Sequence, residues 1–131
     1  HIYCLKFIFN LKYNYNIIKE IKIVEKSRKN FGWLLALDLY DCNHKTVGSY
    51  DICYNYLNTM PDIMETHKQS LPFIVVTDGK KYPDKAGLSG WIPIVESGVS
   101  VHTITLTNFI SIDVYIGREL LYRTKIDFVP V

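Results

Sequence analysis

The sequence has little cysteine, little charge bias and no long apolar run. Its three cysteines, Cys4, Cys42 and Cys53, are an odd number with no CxxC and no His-rich metal spacing. That pattern excludes a disulfide-stapled scaffold and gives no support to a structural zinc; it suits a reducing cytoplasm. No apolar stretch reaches the ~18–20 residues of a membrane span. The formal net charge of +2 is too small to call by itself for a nucleic-acid or membrane partner. A phosphate-cradling loop is missing, because Gly87-Leu88-Ser89-Gly90 lacks the lysine and the helix that should follow. GxSxG is absent, and no order of Ser, His and Asp suggests a hydrolase triad. Residues 1–9 are mostly apolar, but Asn10 and Lys12 follow with no small-residue cleavage site, so no secretory signal is expected. The chain opens at His1 rather than Met, as a segment taken from inside a longer reading frame would.

What is present fits one compact domain. The 131 residues are 48% hydrophobic and 21% charged, enough apolar matter for a core and too little charge for disorder. Charge is unevenly spread. Residues 1–30 carry seven Lys/Arg against two Asp/Glu, a balance of +5, and the rest carry eight against eleven, a balance of −3. Residues 1–30 therefore read as a basic N-terminal extension, with an apolar strand at Ile2–Phe9 and a short helix or second strand at Tyr15–Val24. Its basic face reads as solvated, because no aromatic–basic nucleic-acid motif accompanies it. Residues 31–131 read as the domain proper.

Within that domain, Trp33–Leu39 is a nearly continuous apolar run, expected as a buried strand ending at the polar turn Asp41-Cys42-Asn43-His44. Ser49 or Asp51 can cap a helix to about Met60, with Ile52, Cys53, Tyr56, Leu57 and Met60 on one face. Pro61 should stop it or start another short turn. Phe73–Thr77 is a β-branched strand closed by Asp78-Gly79, followed by a polar loop over Lys80–Gly87. Three strands follow at Trp91–Glu96, Val99–Thr105 and Phe109–Ile116. In the last, Ile110, Ile112, Val114 and Ile116 alternate with Ser111, Asp113 and Tyr115, the pattern of a sheet with one buried face. The expected fold class is α+β, an antiparallel sheet with helices packed on one face. The tail is ambiguous, with a possible strand at Lys125–Val129.

Taken singly, the residues that could carry chemistry are ordinary. Ser97 before Gly98 reads as a turn residue, and His102 as a structural histidine on a strand. Their combination is more specific. The run Gly87-Leu88-Ser89-Gly90-Trp91-Ile92-Pro93-Ile94-Val95-Glu96-Ser97-Gly98-Val99-Ser100-Val101-His102-Thr103 resembles the self-processing segment of the prokaryotic S-adenosylmethionine decarboxylases. That segment reads G-x-S-G, five apolar or small residues, E-S-H, three residues, then H-T. Leu37–Asn43 looks like the family's first strand and turn, and Phe109–Tyr115 like the strand after the processing site.

The resemblance implies a pyruvoyl-dependent decarboxylase proenzyme of spermidine biosynthesis that cleaves itself between Glu96 and Ser97. The Ser97 hydroxyl would attack the Glu96 carbonyl to give an ester. A base would then remove the Ser97 α-proton and eliminate the ester, leaving a pyruvoyl group derived from Ser97 as the only cofactor. His102 matches the family's processing histidine and Ser89 its assisting serine. An imidazole suits a base at neutral pH. S-adenosylmethionine is the implied substrate and a homodimer the implied assembly, with no metal, nucleic acid or membrane. Ser89 and Ser97, about 26 Å apart on a straight strand, meet only if the chain bends near Gly90 or Pro93 or a neighbouring subunit supplies the assisting group.

The sequence departs from the family at four places. Gly98 stands where the family has His. Ile104, Thr105 and Leu106 replace an aromatic, a Pro and an acid. Gly117 occupies the position of the catalytic Cys, and Arg118–Val131 is shorter than the family's closing helix and strand. The candidate replacements for the Cys are Cys42 on its polar turn and, in a permuted reading of the N-terminus, Cys4; Cys53 reads as helix core. The departures motivate two alternatives, a decarboxylase for another amino acid and a non-catalytic homologue that regulates a true decarboxylase.

Overall fold

The computed structural model describes residues 33–117, and residues 18–24 as backbone. Its elements run β1 (Ile18–Val24), β2 (Trp33–Leu39), α1 (His44–Val47), α2 (Tyr50–Ile63), β3 (Phe73–Thr77), a 3-10 turn (Pro83–Lys85), β4 (Gly87–Ile94), β5 (Ser97–Ile104) and β6 (Phe109–Ile116). The strands form one six-stranded sheet in the order β1-β2-β6-β5-β4-β3, and every neighbouring pair is antiparallel. The α+β sandwich expected from the sequence is the fold observed.

Alternation decides which face is buried. On β5 and β6, Val99, Val101, Thr103, Ile110, Ile112, Val114 and Ile116 are buried, while His102, Asp113 and Tyr115 are exposed on the other face. β2 behaves likewise. Leu35, Leu37 and Leu39 are buried and Leu34, Ala36 and Asp38 half-buried, so this apolar run covers one face of the sheet rather than being sunk on both. Each fully buried aliphatic side chain contributes about 1.5–3 kcal/mol.

α2 supplies the other side of the core. Ser49 caps it, its Oγ accepting from the Ile52 N–H at 3.3 Å. Cys53, Tyr56 and Leu57 face the sheet, buried with the strand residues in one cluster, and Ile52 and Met60 pack against it half-buried. Gly90 on β4 brings the sheet close to this helix, since a Cβ there would lie 2.6 Å from Leu57 Cδ1. The helix runs through Pro61 to Ile63 rather than stopping there. Pro61 lacks only its own N–H, and its carbonyl is satisfied from beyond the helix by the Thr66 N–H and hydroxyl.

The strand bounds shift in one informative way. β4 starts at Gly87, four residues before the expected start, because β3 pairs with Gly87–Trp91. It then runs unbroken through Gly90 and Pro93. Pro93 is tolerated because it lies past the end of β3, so no β3 residue needs its N–H. Of the basic stretch, residues 18–24 form the edge strand β1 on β2. The strands expected at Ile2–Phe9 and Lys125–Val129, and Cys4, lie outside the described residues. Among the described residues no helix is long and apolar enough to cross a membrane.

Candidate functional site

The β4–β5 hairpin carries Ser89, Glu96, Ser97 and His102. Its closing pair is Ile94 and Ser97, so Val95 and Glu96 form a two-residue turn and the Glu96–Ser97 bond lies at the hairpin tip. Ser97 is exposed and has φ 150°, a region that L side chains rarely adopt. Such a backbone costs about 1–3 kcal/mol where its surroundings impose it. They do so here from two sides. The Gly117 N–H, just past β6, donates to the Glu96 carbonyl at 2.9 Å. The Val95 N–H donates to the His67 carbonyl at 2.8 Å, and the Gln69 N–H to the Pro93 carbonyl at 3.1 Å. Lys68 bridges Ile94 as an isolated antiparallel pair.

The Glu96 carboxylate is held too. One oxygen accepts from the His67 backbone N–H at 3.1 Å, and the other lies 2.7 Å from His67 Nδ1. Its partial burial pushes its pKa up. The hydrogen bonds from the His67 ring and backbone, a bond to its own backbone and the attraction of the ring outweigh that and hold it below the usual glutamate range.

Ser89 and His102 meet elsewhere. They are direct cross-strand partners on β4 and β5, with Ser89 Oγ 2.9 Å from His102 Nδ1 on the open face of the sheet. Ser97 lies five residues back along β5, roughly 17 Å by strand rise, and by alternation on the opposite face. Because β4 does not bend at Gly90 or Pro93, the bent-chain route that would unite Ser89 with Ser97 is not taken. The chain thus separates a serine–histidine pair from the hairpin tip.

The positions that depart from the expected pattern are informative. A Cβ on Gly98 would lie 2.6 Å from Trp91 Nε1, so the Trp91 indole occupies the space of a side chain at position 98. Gly117 lacks a side chain but places its amide on the Glu96 carbonyl. Leu106 is exposed in the β5–β6 turn, at the far end of β5 from Ser97. Cys42 is corrected as a proton donor near position 97. It is buried beside Asn108, whose carbonyl accepts its N–H at 2.9 Å, at the end of the sheet away from Ser97. Burial, with the nearby Asp41 charge, pushes its thiol up to about 11. Burial alone does the same to Cys53, which sits in the helix core as expected.

Two participants were not found from the sequence, the Gly117 amide and His67. No local pattern marks either contact, because each reaches Glu96 from beyond intervening strands and through hydrogen bonds that only the folded hairpin makes. Among the described residues no group of three His, Cys, Asp or Glu is placed to hold a metal ion.

Comparison with known proteins bears on the family and the fold. Residues 33–127 match the sequence model described as S-adenosylmethionine decarboxylase. The fold is similar to the crystal structure of the adenosylmethionine decarboxylase from Aquifex aeolicus VF5, with a TM-score of 0.60 and 20% identity over 74% of this chain and 76% of that one. At that identity the likeness concerns the fold. No curated protein sequence matches the chain.

Proposed function

The chain belongs to the S-adenosylmethionine decarboxylase family, and from that premise we propose that it is a self-cleaving proenzyme whose scissile bond is Glu96–Ser97. The observation that carries the proposal is the state of this one peptide. Its serine is strained, exposed and at a hairpin tip, and its carbonyl is already hydrogen-bonded by the Gly117 amide.

Attack by Ser97 Oγ on the Glu96 carbonyl carbon forms a C–O bond and breaks the C–N bond, with the hydroxyl proton passing to the departing amine. The Gly117 N–H is placed to bear the negative charge that builds on the carbonyl oxygen. Breaking the peptide also releases the φ strain of Ser97. A base then takes the Ser97 α-proton, and the Glu96 carboxylate leaves. Water converts the remaining enamine to a carbonyl, with loss of ammonia. Position 97 fits a pyruvoyl group in that elimination takes only its side-chain oxygen and leaves the β-carbon to become the methyl. When formed, that group supplies a carbonyl that condenses with a substrate α-amine and accepts electrons as CO₂ leaves.

The base is His102, oriented by Ser89 and supplied by a second copy of the chain. Within one chain His102 is roughly 17 Å along β5 from Ser97, so only a facing chain brings it to the tip. A homodimer that brings the open-face His102 of one chain to the hairpin tip of the other meets that need. S-adenosylmethionine is the proposed substrate and spermidine synthesis in the cytoplasm the proposed setting.

Intact mass of the purified chain tests the reading. Fragments 1–96 and 97–131, the second pyruvoyl-blocked, are expected, and Ser97→Ala should leave one uncleaved chain. A single wild-type band with an unmodified Ser97 favours instead the non-catalytic homologue, which the replacement of the family's catalytic Cys by Gly117 motivates.

A further inference from the structure

We infer that His67 is a positioning residue for self-cleavage, clamping the acyl side of the scissile bond through the Glu96 carboxylate. The inference rests on the self-cleavage reading and adds a residue to it from outside the β4–β5 hairpin.

Residues 67–69 lie along β4 past the end of β3, where they strap the hairpin tip. The Val95 and Gln69 amides and the Lys68–Ile94 bridge fix the strap to the turn through backbone alone. His67 adds what backbone cannot. Its N–H and its Nδ1 each engage one oxygen of the Glu96 carboxylate, at 3.1 and 2.7 Å. Glu96 is therefore gripped at both ends, its main-chain carbonyl by Gly117 and its side chain by His67. The Glu96 side chain is only 10% exposed whereas that of His67 is 71% exposed, so the clamp closes over the glutamate from the solvent side. Lys68, the neighbouring cation, is committed elsewhere, its Nζ lying 3.0 Å from both the Asp62 carboxylate and the Asn58 carbonyl.

This grip matters because the acyl shift moves residue 97 relative to residue 96. When the C–N bond breaks and the C–O bond forms, Ser97 must rotate while the acyl carbon stays against the Gly117 amide. A free Glu96 would swing with the turn, and misplacing an acyl group by about 1 Å can cost ~10²-fold in rate. The clamp also serves the product. Elimination leaves Glu96 with two carboxylates, and His67 keeps the side-chain one engaged while the new one forms.

Cleavage rates by intact mass should be compared for wild type, His67→Ala and His67→Asn, whose amide restores a donor near the position of Nδ1. In parallel, the Glu96 carboxyl should be titrated by NMR in the Ser97→Ala chain with and without His67→Ala. The expected result is cleavage slowed at least tenfold by His67→Ala and restored to within about threefold of wild type by His67→Asn. The Glu96 carboxyl should titrate higher once His67 is removed. Wild-type-rate cleavage of His67→Ala overturns the positioning role, and so does equal slowing in both variants. A Glu96 titration that His67→Ala leaves unmoved overturns the clamp itself. Failure of the wild-type chain to cleave would instead bring down the self-cleavage reading, with the titration still deciding whether the contact exists in solution.

Discussion

The amide of Gly117 donates to the carbonyl oxygen of Glu96 at 2.9 Å, across the gap from the end of β6 to the β4–β5 turn. In an ordinary hairpin this bond would merely tidy a turn carbonyl. At the proposed scissile peptide it is the partner an oxyanion would need. Gly117 is not among the glycines with positive φ, so its backbone is not barred to other residues. Gly117→Ala retains the N–H and should cleave near the wild-type rate. Gly117→Pro deletes the N–H and should slow cleavage by about 10²–10³-fold, the usual loss for one oxyanion donor. Cleavage time courses by mass, with thermal melts as a check on folding, compare the two.

Separation of the Ser89–His102 pair from Ser97 makes a prediction about assembly. Chains carrying Ser97→Ala and chains carrying His102→Ala should each fail to cleave alone. Co-refolded, the His102→Ala chain should cleave, because its intact Ser97 meets the partner's intact imidazole. Mass spectrometry of the mixture identifies which chain is cut, and absence of rescue would place the base within the same chain.

Decarboxylation is expected to be weak even where cleavage is complete. General-acid catalysis is worth ~10²–10⁴-fold, and the family's thiol position is the bare Gly117. Cys42 cannot replace it from the far end of the sheet, so Cys42→Ala should leave turnover unchanged. Release of labelled CO₂ from S-adenosylmethionine should fall well below the ~10 s⁻¹ typical of enzymes.

Glu96 also writes a pH dependence into the uncleaved fold. Its folded pKa lies below the ordinary value, so the stabilisation is fully present above the ordinary glutamate range of about 4.3 and is lost as pH falls through the lower folded value. In the Ser97→Ala background, Glu96→Gln should flatten that acid limb of a denaturation profile and leave the neutral slope alone.

The sheet was legible because its residues obey a local period. The alternation of Ile110, Ile112 and Val114 with Ser111 and Asp113 predicts one buried face, and burial follows it residue by residue. The helix from Ser49 was legible from its cap and its three- and four-residue spacing. Its passage through Pro61 was not, because the bonds that hold the Pro61 carbonyl come from Thr66, outside the helix. The pairing of Ser89 with His102 is a matter of register, and register is set by the hairpin turn at Val95-Glu96, which fixes which residues face each other. His67 left no trace in the sequence, since its contact with Glu96 spans 29 positions and no periodicity encodes it. Cys42 misled for a related reason. A polar turn in sequence suggested exposure, whereas the β5–β6 turn folds over it.

The Trp91 indole standing over Gly98 makes what position 98 can hold depend on position 91. A histidine reintroduced at 98 would collide with the ring unless Trp91 shrank or turned away first. Shrinking Trp91 alone would leave a bare patch beside the hairpin tip. The two sites are therefore epistatic. Restoring the family's Ser-His dipeptide here requires the indole to move as well as a new side chain at position 98.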